Sequence, residues 1–167
     1  MEYQKSESGE KQDKLKFLIK ESPKTFVIDA SVCIKWFSFE NEEDVEIAST
    51  LRIQHMNRNI FLIAPDILVY EVTNALAYNP LFDTDKVNMA IQSLYEMDIK
   101  FVEPYLRILF ESSKLHFSKD ITIYDSIYIA LARHINAQCI TADKKLFEKV
   151  KDLGHIILLS SYNIFTV

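Results

Sequence analysis

The chain has 167 residues, 49% hydrophobic and 26% charged, with a formal net charge of -5, which is the size and make-up of one globular domain. Roughly two-thirds of the unfolded surface can be buried at this length, so the fold needs neither disulfides nor a structural metal. The acidic balance argues against nucleic-acid binding through global charge and is compatible with a local basic rim in such a role.

Residues 1–23 mix alternating charges with a Ser/Gly cluster and a short apolar patch, ending at Glu21-Ser22-Pro23; they are expected to be a polar extension, with a single domain over 24–167. Thr25 to Ile28 is a β-favouring apolar run stopped by Asp29, which predicts a buried strand that delivers a carboxylate at its end. Ser31 to Phe37 predicts a short helix. Asn41-Glu42-Glu43-Asp44 predicts the start of a second, running to about Asn57, with acids against the positive dipole end. Ile60 to Ala64 predicts another buried strand. Pro65 then suits the first turn of a helix carrying Ile67, Leu68, Val72, Ala75 and Leu76 at helical spacing, with Glu71 inside it. Thr84 to Met97 predicts an amphipathic helix whose exposed apolar residues are a candidate dimer surface. Ile99 to Val102 predicts a strand, Pro104 to about Phe117 a helix, Thr122 to His134 a helix, Gln138 to Thr141 a strand, Ala142 to Val150 a helix and Ile156 to Leu159 a last strand.

Short apolar strands alternating with helices, without hairpin turn signals, predict βα units and a three-layer α/β/α sandwich around a parallel sheet. Only two glycines are present, so there is no Gly-rich phosphate loop, and nucleotide-triphosphate and NAD chemistry are demoted on that ground. Cys33 and Cys139 sit singly in apolar contexts and are expected to be small core residues in a reducing, intracellular setting. The four histidines are scattered without zinc spacing. The polar first residues and interrupted apolar runs predict a soluble, cytoplasmic protein without a signal peptide or membrane span.

The chemistry concentrates on four acids. In an open α/β sheet ligands bind beyond the C-terminal ends of the strands, where Asp29 and Asp143 are both expected. Glu71 and Asp125 lie in otherwise apolar helices, where a carboxylate is costly unless it is paired or bound to metal. Four carboxylates on one edge would raise one another's pKa values unless a divalent cation sat among them. Oxygen-only donors favour Mg2+ or Mn2+ over zinc or copper. Such a centre suits in-line hydrolysis of a phosphodiester, with the backbone of a nucleic acid as the candidate substrate.

Four features together resemble the PIN domain, and within it the VapC-type ribonuclease toxins: FVIDASVCIKWF at 26–37, APDILVYEVTNALAY at 64–78, ITIYDSIYIALARHINAQCITADKKL at 121–146, and the order of the four acids. The resemblance covers roughly residues 25–160. It implies a parallel five-stranded sheet, an endoribonuclease acting on RNA, and Asp29, Glu71, Asp125 and Asp143 as the acids that hold one or two Mg2+ or Mn2+ ions. It also implies supporting roles for Ser31 and Thr141, with Asn74 one helical turn from Glu71, a frequent homodimer, and an antitoxin protein in the groove. Residues 1–23 fall outside the family's usual pattern.

Local structural roles compete with several of these assignments. Asp125 completes a capping-box-like Thr122-Ile123-Tyr124-Asp125, and Asp143 can cap the helix beginning at Lys144. Trp36 is read chiefly as core, with stacking on an RNA base as the alternative. Lys35, Arg52, Lys114, Lys119, Arg133, Lys144 and Lys145 are candidates for a phosphate-contacting rim. Tyr70, Tyr124 and Tyr128 are expected to pack with their hydroxyls at the edge. Three rival functions carry part of this pattern: a catalytically silent PIN-like scaffold for RNA or protein, a PIN nuclease of RNA processing without an antitoxin, and a phosphoacceptor receiver domain. The receiver fits poorly, because Asp29 stands alone after its strand.

Overall fold

A computed structural model describes residues 24–40 and 42–162. The expected extension, residues 1–23, and Asn41 lie outside the described residues. Five strands alternate with seven helices: β1 (Thr25–Ile28), α1 (Ala30–Ile34), α2 (Val45–Met56), β2 (Phe61–Pro65), α3 (Ile67–Ala77), α4 (Thr84–Glu96), β3 (Lys100–Val102), α5 (Leu106–Lys119), α6 (Ile123–His134), β4 (Gln138–Thr141), α7 (Lys144–Val150) and β5 (Ile156–Leu158). Two short 3-10 turns, Lys151–Leu153 and Leu159–Ser161, flank β5.

The strands form one sheet in the order β3-β2-β1-β4-β5, and every neighbouring pair is parallel. Residues 26–28, 62–64 and 139–141 are all buried. Successive strand side chains point to opposite faces, so continuous burial means that helices cover both faces, as a parallel sheet requires. The expected α/β sandwich with a parallel five-stranded sheet is therefore observed. α6 packs on β1, β2 and β4 and beneath α5. Its residues Ser126 to Ala132 are all buried, which explains why this segment is apolar on every side instead of along one stripe.

The strand order decides where a site can form. From β1 the chain builds outward through β2 to β3, then returns to lay β4 on the other side of β1. The reversal opens a crevice at the C-terminal ends of β1 and β4. The register pairs Ile28 with Ile140, so Asp29 and the β4–α7 connection emerge side by side.

Several boundaries differ from expectation. α1 ends at Ile34, and residues 35–37 form a turn. Pro65 closes β2 instead of opening α3. It extends past the last β1 partner, Ile63, and faces Val102 of β3, so its missing N–H interrupts no ladder bond with β1. α5 starts at Leu106, two residues beyond Pro104. At the start of α2, Asp44 stands in the left-handed region (φ 58) and makes no side-chain cap. The expected apolar face of α4 is not continuous. Met89 and Tyr95 are exposed, but six residues at about 100° each put them roughly 120° apart around the helix. On α5, by contrast, exposed Leu106, Phe110 and Phe117 fall within about 40° of one another and make one ridge.

Trp36 is buried and its Nε1 donates to the Ala48 carbonyl at 2.8 Å, so the indole is core and is closed to base stacking. Cys33 and Cys139 are buried free thiols, with burial pushing both well above their ordinary pKa. Among the described residues no helix is long and apolar enough to cross a membrane.

Candidate active site

Asp29 is the residue at which β1 becomes α1. Its backbone N–H donates to the Ile140 carbonyl of β4 at 3.0 Å, which pins it across the two central strands. It occupies the N-cap position of α1 but makes no side-chain cap bond. Instead, two hydroxyls converge on the same carboxylate oxygen: Ser31 Oγ donates to Oδ2 at 2.5 Å and Thr141 Oγ1 donates to it at 2.6 Å. The same hydroxyls accept from the neighbouring connection, Ser31 Oγ from the Ala142 amide at 2.9 Å and Thr141 Oγ1 from the Asp143 amide at 3.1 Å. Two loops that are distant in sequence are thereby joined through the oxygens that orient Asp29. Ser31 and Thr141 are the two residues for which supporting roles are expected from the sequence, and both contact Asp29 directly.

The electrostatics are those of charge without a counter-ion. Asp29 is only 5% exposed. Burial pushes its carboxyl above the usual range; the Ser31 and Thr141 hydrogen bonds and the Ala30 amide pull it down, and the charge of Asp125 pushes it up again. Glu71 rises to about 7, chiefly through burial. The hydroxyl of Tyr128 opposes that rise, and the charges of Asp29 and Asp125 add to it. Asp29, Glu71 and Asp125 thus share one field although they come from β1, α3 and α6.

Asp125 sits in the first turn of α6. Thr122 caps that helix: its Oγ1 accepts from the Asp125 amide at 3.0 Å and donates to Asp125 Oδ2 at 2.7 Å. Asp143 is the N-cap of α7, its Oδ1 accepting from the Lys145 amide at 2.7 Å and the Leu146 amide at 2.9 Å. The capping role weighed for Asp143 is observed; at α6 the cap is Thr122, and the Asp125 carboxylate meets the Thr122 hydroxyl instead of completing the box on its amide. Asp143 is exposed and does not figure in the field acting on Asp29 or Glu71, so it borders the cluster of three. Asn74 is exposed on α3, and no contact among the described residues joins its side chain to the acids. Among the described residues no three His, Cys, Asp or Glu side chains close around a point that could hold an ion. The acids share a field, and the arrangement is open.

Tyr128 is the functional candidate that sequence reasoning misplaced. It is fully buried, and its hydroxyl donates to Glu71 Oε2 at 2.5 Å. The signal was its position three residues after Asp125, hence on a neighbouring part of the same helix. Tyr70 and Tyr124 also depart from expectation, being 73% and 57% exposed. The basic rim is much reduced. Lys35 is buried against Glu42, Lys119 pairs with Asp152, Arg133 with Glu111 and Lys144 with Glu43. Arg52 reaches Ser93 at 3.5 Å. Lys114 lines a separate polar groove between α5 and α6. A second groove of about 350 Å³, mainly apolar, lies between α1, α2 and α4 and is lined by Trp36, Phe37, Phe82 and Met89 among others.

The model of the PIN domain family matches residues 26–153. Ribonuclease VapC3 of Pyrobaculum aerophilum is 32% identical over 88 residues, 50% of this chain and 67% of the relative. The solved structure of PAE2754 from Pyrobaculum aerophilum superposes with a TM-score of 0.59 at 21% identity, covering 86% of this chain and 91% of that one. VapBC-1 from nontypeable Haemophilus influenzae gives 0.59 at 19% identity over 82% and 99%. At these identities the structural likeness is one of fold.

Proposed function

Because the chain belongs to the PIN domain family, we propose that it is a metal-dependent endoribonuclease that hydrolyses RNA phosphodiester bonds as the toxin of a toxin–antitoxin pair. The observation that carries this reading is the set of three mutually repelling carboxylates held at the strand-reversal crevice, with the Ser31 and Thr141 hydroxyls oriented on Asp29 and the Tyr128 hydroxyl on Glu71. A protein keeps such uncompensated charge where an ion is to bind.

The donor chemistry fits Mg2+ or Mn2+. All four acids offer oxygen only, and an open arrangement leaves coordination positions to water and substrate, as a hard ion that retains several waters requires. Asp29, Glu71 and Asp125 would hold it, with Asp143 at the border directly or through water. When bound, the ion supplies Lewis acidity and shields charge developing on the phosphate. The remaining work falls to the chain. Ser31 and Thr141 fix which oxygen of Asp29 faces inward, and Tyr128 fixes Glu71 in the same way. Burial on the β1 side keeps bulk water from competing with an ordered nucleophile.

Two protein partners belong to this proposal. The apolar groove beside Trp36, Phe37, Phe82 and Met89 is the surface offered to an antitoxin segment. The ridge of Leu106, Phe110 and Phe117 on α5 is a better place for a second copy than the interrupted face of α4.

The deciding experiment incubates a labelled total-RNA pool with the full chain and with Asp29→Asn, in Mn2+, in Mg2+ and in chelator. Metal-dependent cutting by the wild type that is lost in the variant is expected. Undiminished metal-dependent cutting by the variant would overturn the site, and absence of cutting by partner-free wild type would favour the silent scaffold.

A further inference from the structure

RNA is a polyanion that must enter a crevice already lined with carboxylates, so the cations beside that crevice matter to how it enters. Lys144 is the first residue of α7, directly after Asp143. Lys35 closes α1, the helix that begins immediately after Asp29. Both are engaged by consecutive acids of one connection, the segment between α1 and α2. Lys35 Nζ donates to Glu42 Oε2 at 2.5 Å, and Lys144 Nζ donates to Glu43 Oε2 at 2.5 Å.

The two pairs differ in environment, and the difference suggests different roles. The Lys35 side chain is only 10% exposed, so its pairing with Glu42 anchors the connection to α1. The Lys144 and Glu43 side chains are 63% and 75% exposed. Their contact spans 101 residues of sequence and joins the chain that follows β1 and α1 to the first residue of α7, which follows β4. An exposed ion pair is weak enough for another anion to displace it. A phosphate oxygen presents the same charge and the same acceptor geometry to a lysine ammonium as a carboxylate does.

We propose that Glu43 occupies the place of a substrate phosphate on Lys144, so that the Glu43–Lys144 ion pair is an electrostatic gate which RNA displaces as it enters the crevice. The inference rests on the ribonuclease reading above. Lys144 then acts as a positioning residue for the RNA backbone, and Glu43 sets the threshold that a competing anion must exceed.

The test measures KM and kcat on a labelled RNA in Mn2+ at low salt, together with the Kd of the same RNA by fluorescence anisotropy. The proteins are the wild type, Glu43→Gln, Lys144→Ala, the double variant, and Glu46→Gln as a control for charge alone, since Glu46 is an exposed acid of the first turn of α2. Glu43→Gln should lower KM and Kd about two- to five-fold, the scale of an exposed ion pair, with kcat unchanged. That gain should vanish in the Lys144→Ala background and be absent from Glu46→Gln. The gate is overturned if Glu43→Gln leaves Kd unchanged, if it tightens binding equally without Lys144, or if Glu46→Gln matches it. Wild type that binds RNA but cuts none overturns the ribonuclease reading instead, and the Kd comparison still decides the gate.

Discussion

The hydroxyl of Tyr128 donates to Glu71 Oε2 at 2.5 Å, joining α6 to α3 across 57 residues of sequence. The phenol is fully buried, and Glu71 together with Asp29 pushes its own pKa up beyond the effect of burial. Tyr128 therefore remains a donor throughout the working pH range and holds one carboxylate oxygen of the acid cluster in place.

Tyr128→Phe should accordingly lower stability by about 1.5–3 kcal/mol, the range for a hydrogen bond to a charged group, as measured by urea unfolding of the metal-free protein. Removing the donor also removes the interaction that opposes the rise in the Glu71 pKa. Cleavage near neutral pH should fall by about ten-fold and recover partly as pH is raised. An unchanged pH profile would show that the hydroxyl does not act on Glu71.

Asp29→Asn should leave the metal-free protein as stable as the wild type or more stable. The buried charge is what pushes the carboxyl up, and an amide carbonyl can still accept from Ser31 and Thr141 without that charge. Calorimetry without metal checks this. Added Mn2+ should raise the melting temperature of the wild type and not that of the variant.

Thr141→Val should cost about 1–3 kcal/mol, because the wholly buried hydroxyl donates to Asp29 and accepts from the Asp143 amide, and valine removes both bonds while Ser31 still donates to Asp29. Metal affinity should fall with stability, since Asp29 loses one of the two hydroxyls that orient it. A variant with wild-type metal affinity would remove Thr141 from the supporting set.

Glu71 ties stability to pH with a definite sign. Its ordinary value is 4.5 and its value in the fold is about 7, so between these limits the folded state holds a proton that the unfolded chain has released. Metal-free stability should therefore fall as pH rises from 4.5 to about 7, then level off. Glu43 and Asp152 are shifted downward by their lysine partners and act only at more acid pH. Asp29, also pushed up by burial, adds a slope of the same sign, so Glu71→Gln should reduce the slope without abolishing it. Mn2+ should stabilise the wild type more at about pH 8 than at about pH 5.5, because the ion competes with the proton. A wild-type melting temperature that climbs through this window without metal would contradict the assignment.

If the α5 ridge seats a second copy as proposed, the wild type should sediment as a dimer and Phe110→Glu and Phe117→Glu as monomers in analytical ultracentrifugation, since each places a charge on the ridge. The same result from Tyr95→Glu on α4, with the α5 variants still dimeric, would restore the surface first expected from sequence.

The positions of the strands and of Asp29 were legible because a parallel strand buried on both faces leaves a local signature: four or five apolar residues, then a polar stop. Thr122 and Asp143 were legible as caps for a similar reason, since capping is settled within three or four residues. What misled was chemistry that depends on partners far along the chain. Lys35 looks like any surface lysine until Glu42 folds onto it. Pro65 looks like a helix start until β3 pairs beside it.

By itself, the sequence determined the alternation of strand and helix, the burial of Trp36 and the two cysteines, and the four acids in their order. These follow from side-chain hydrophobicity and short-range backbone preference, which act within a few residues. Only the tertiary structure decided that β4 returns to the far side of β1, that Ser31 and Thr141 meet on one oxygen of Asp29, that Tyr128 holds Glu71, and that Asp143 borders the other three acids. Those contacts join segments separated by 57 to 112 residues, except for the local Ser31 bond. Their geometry is set by sheet order and helix packing, which no local pattern encodes.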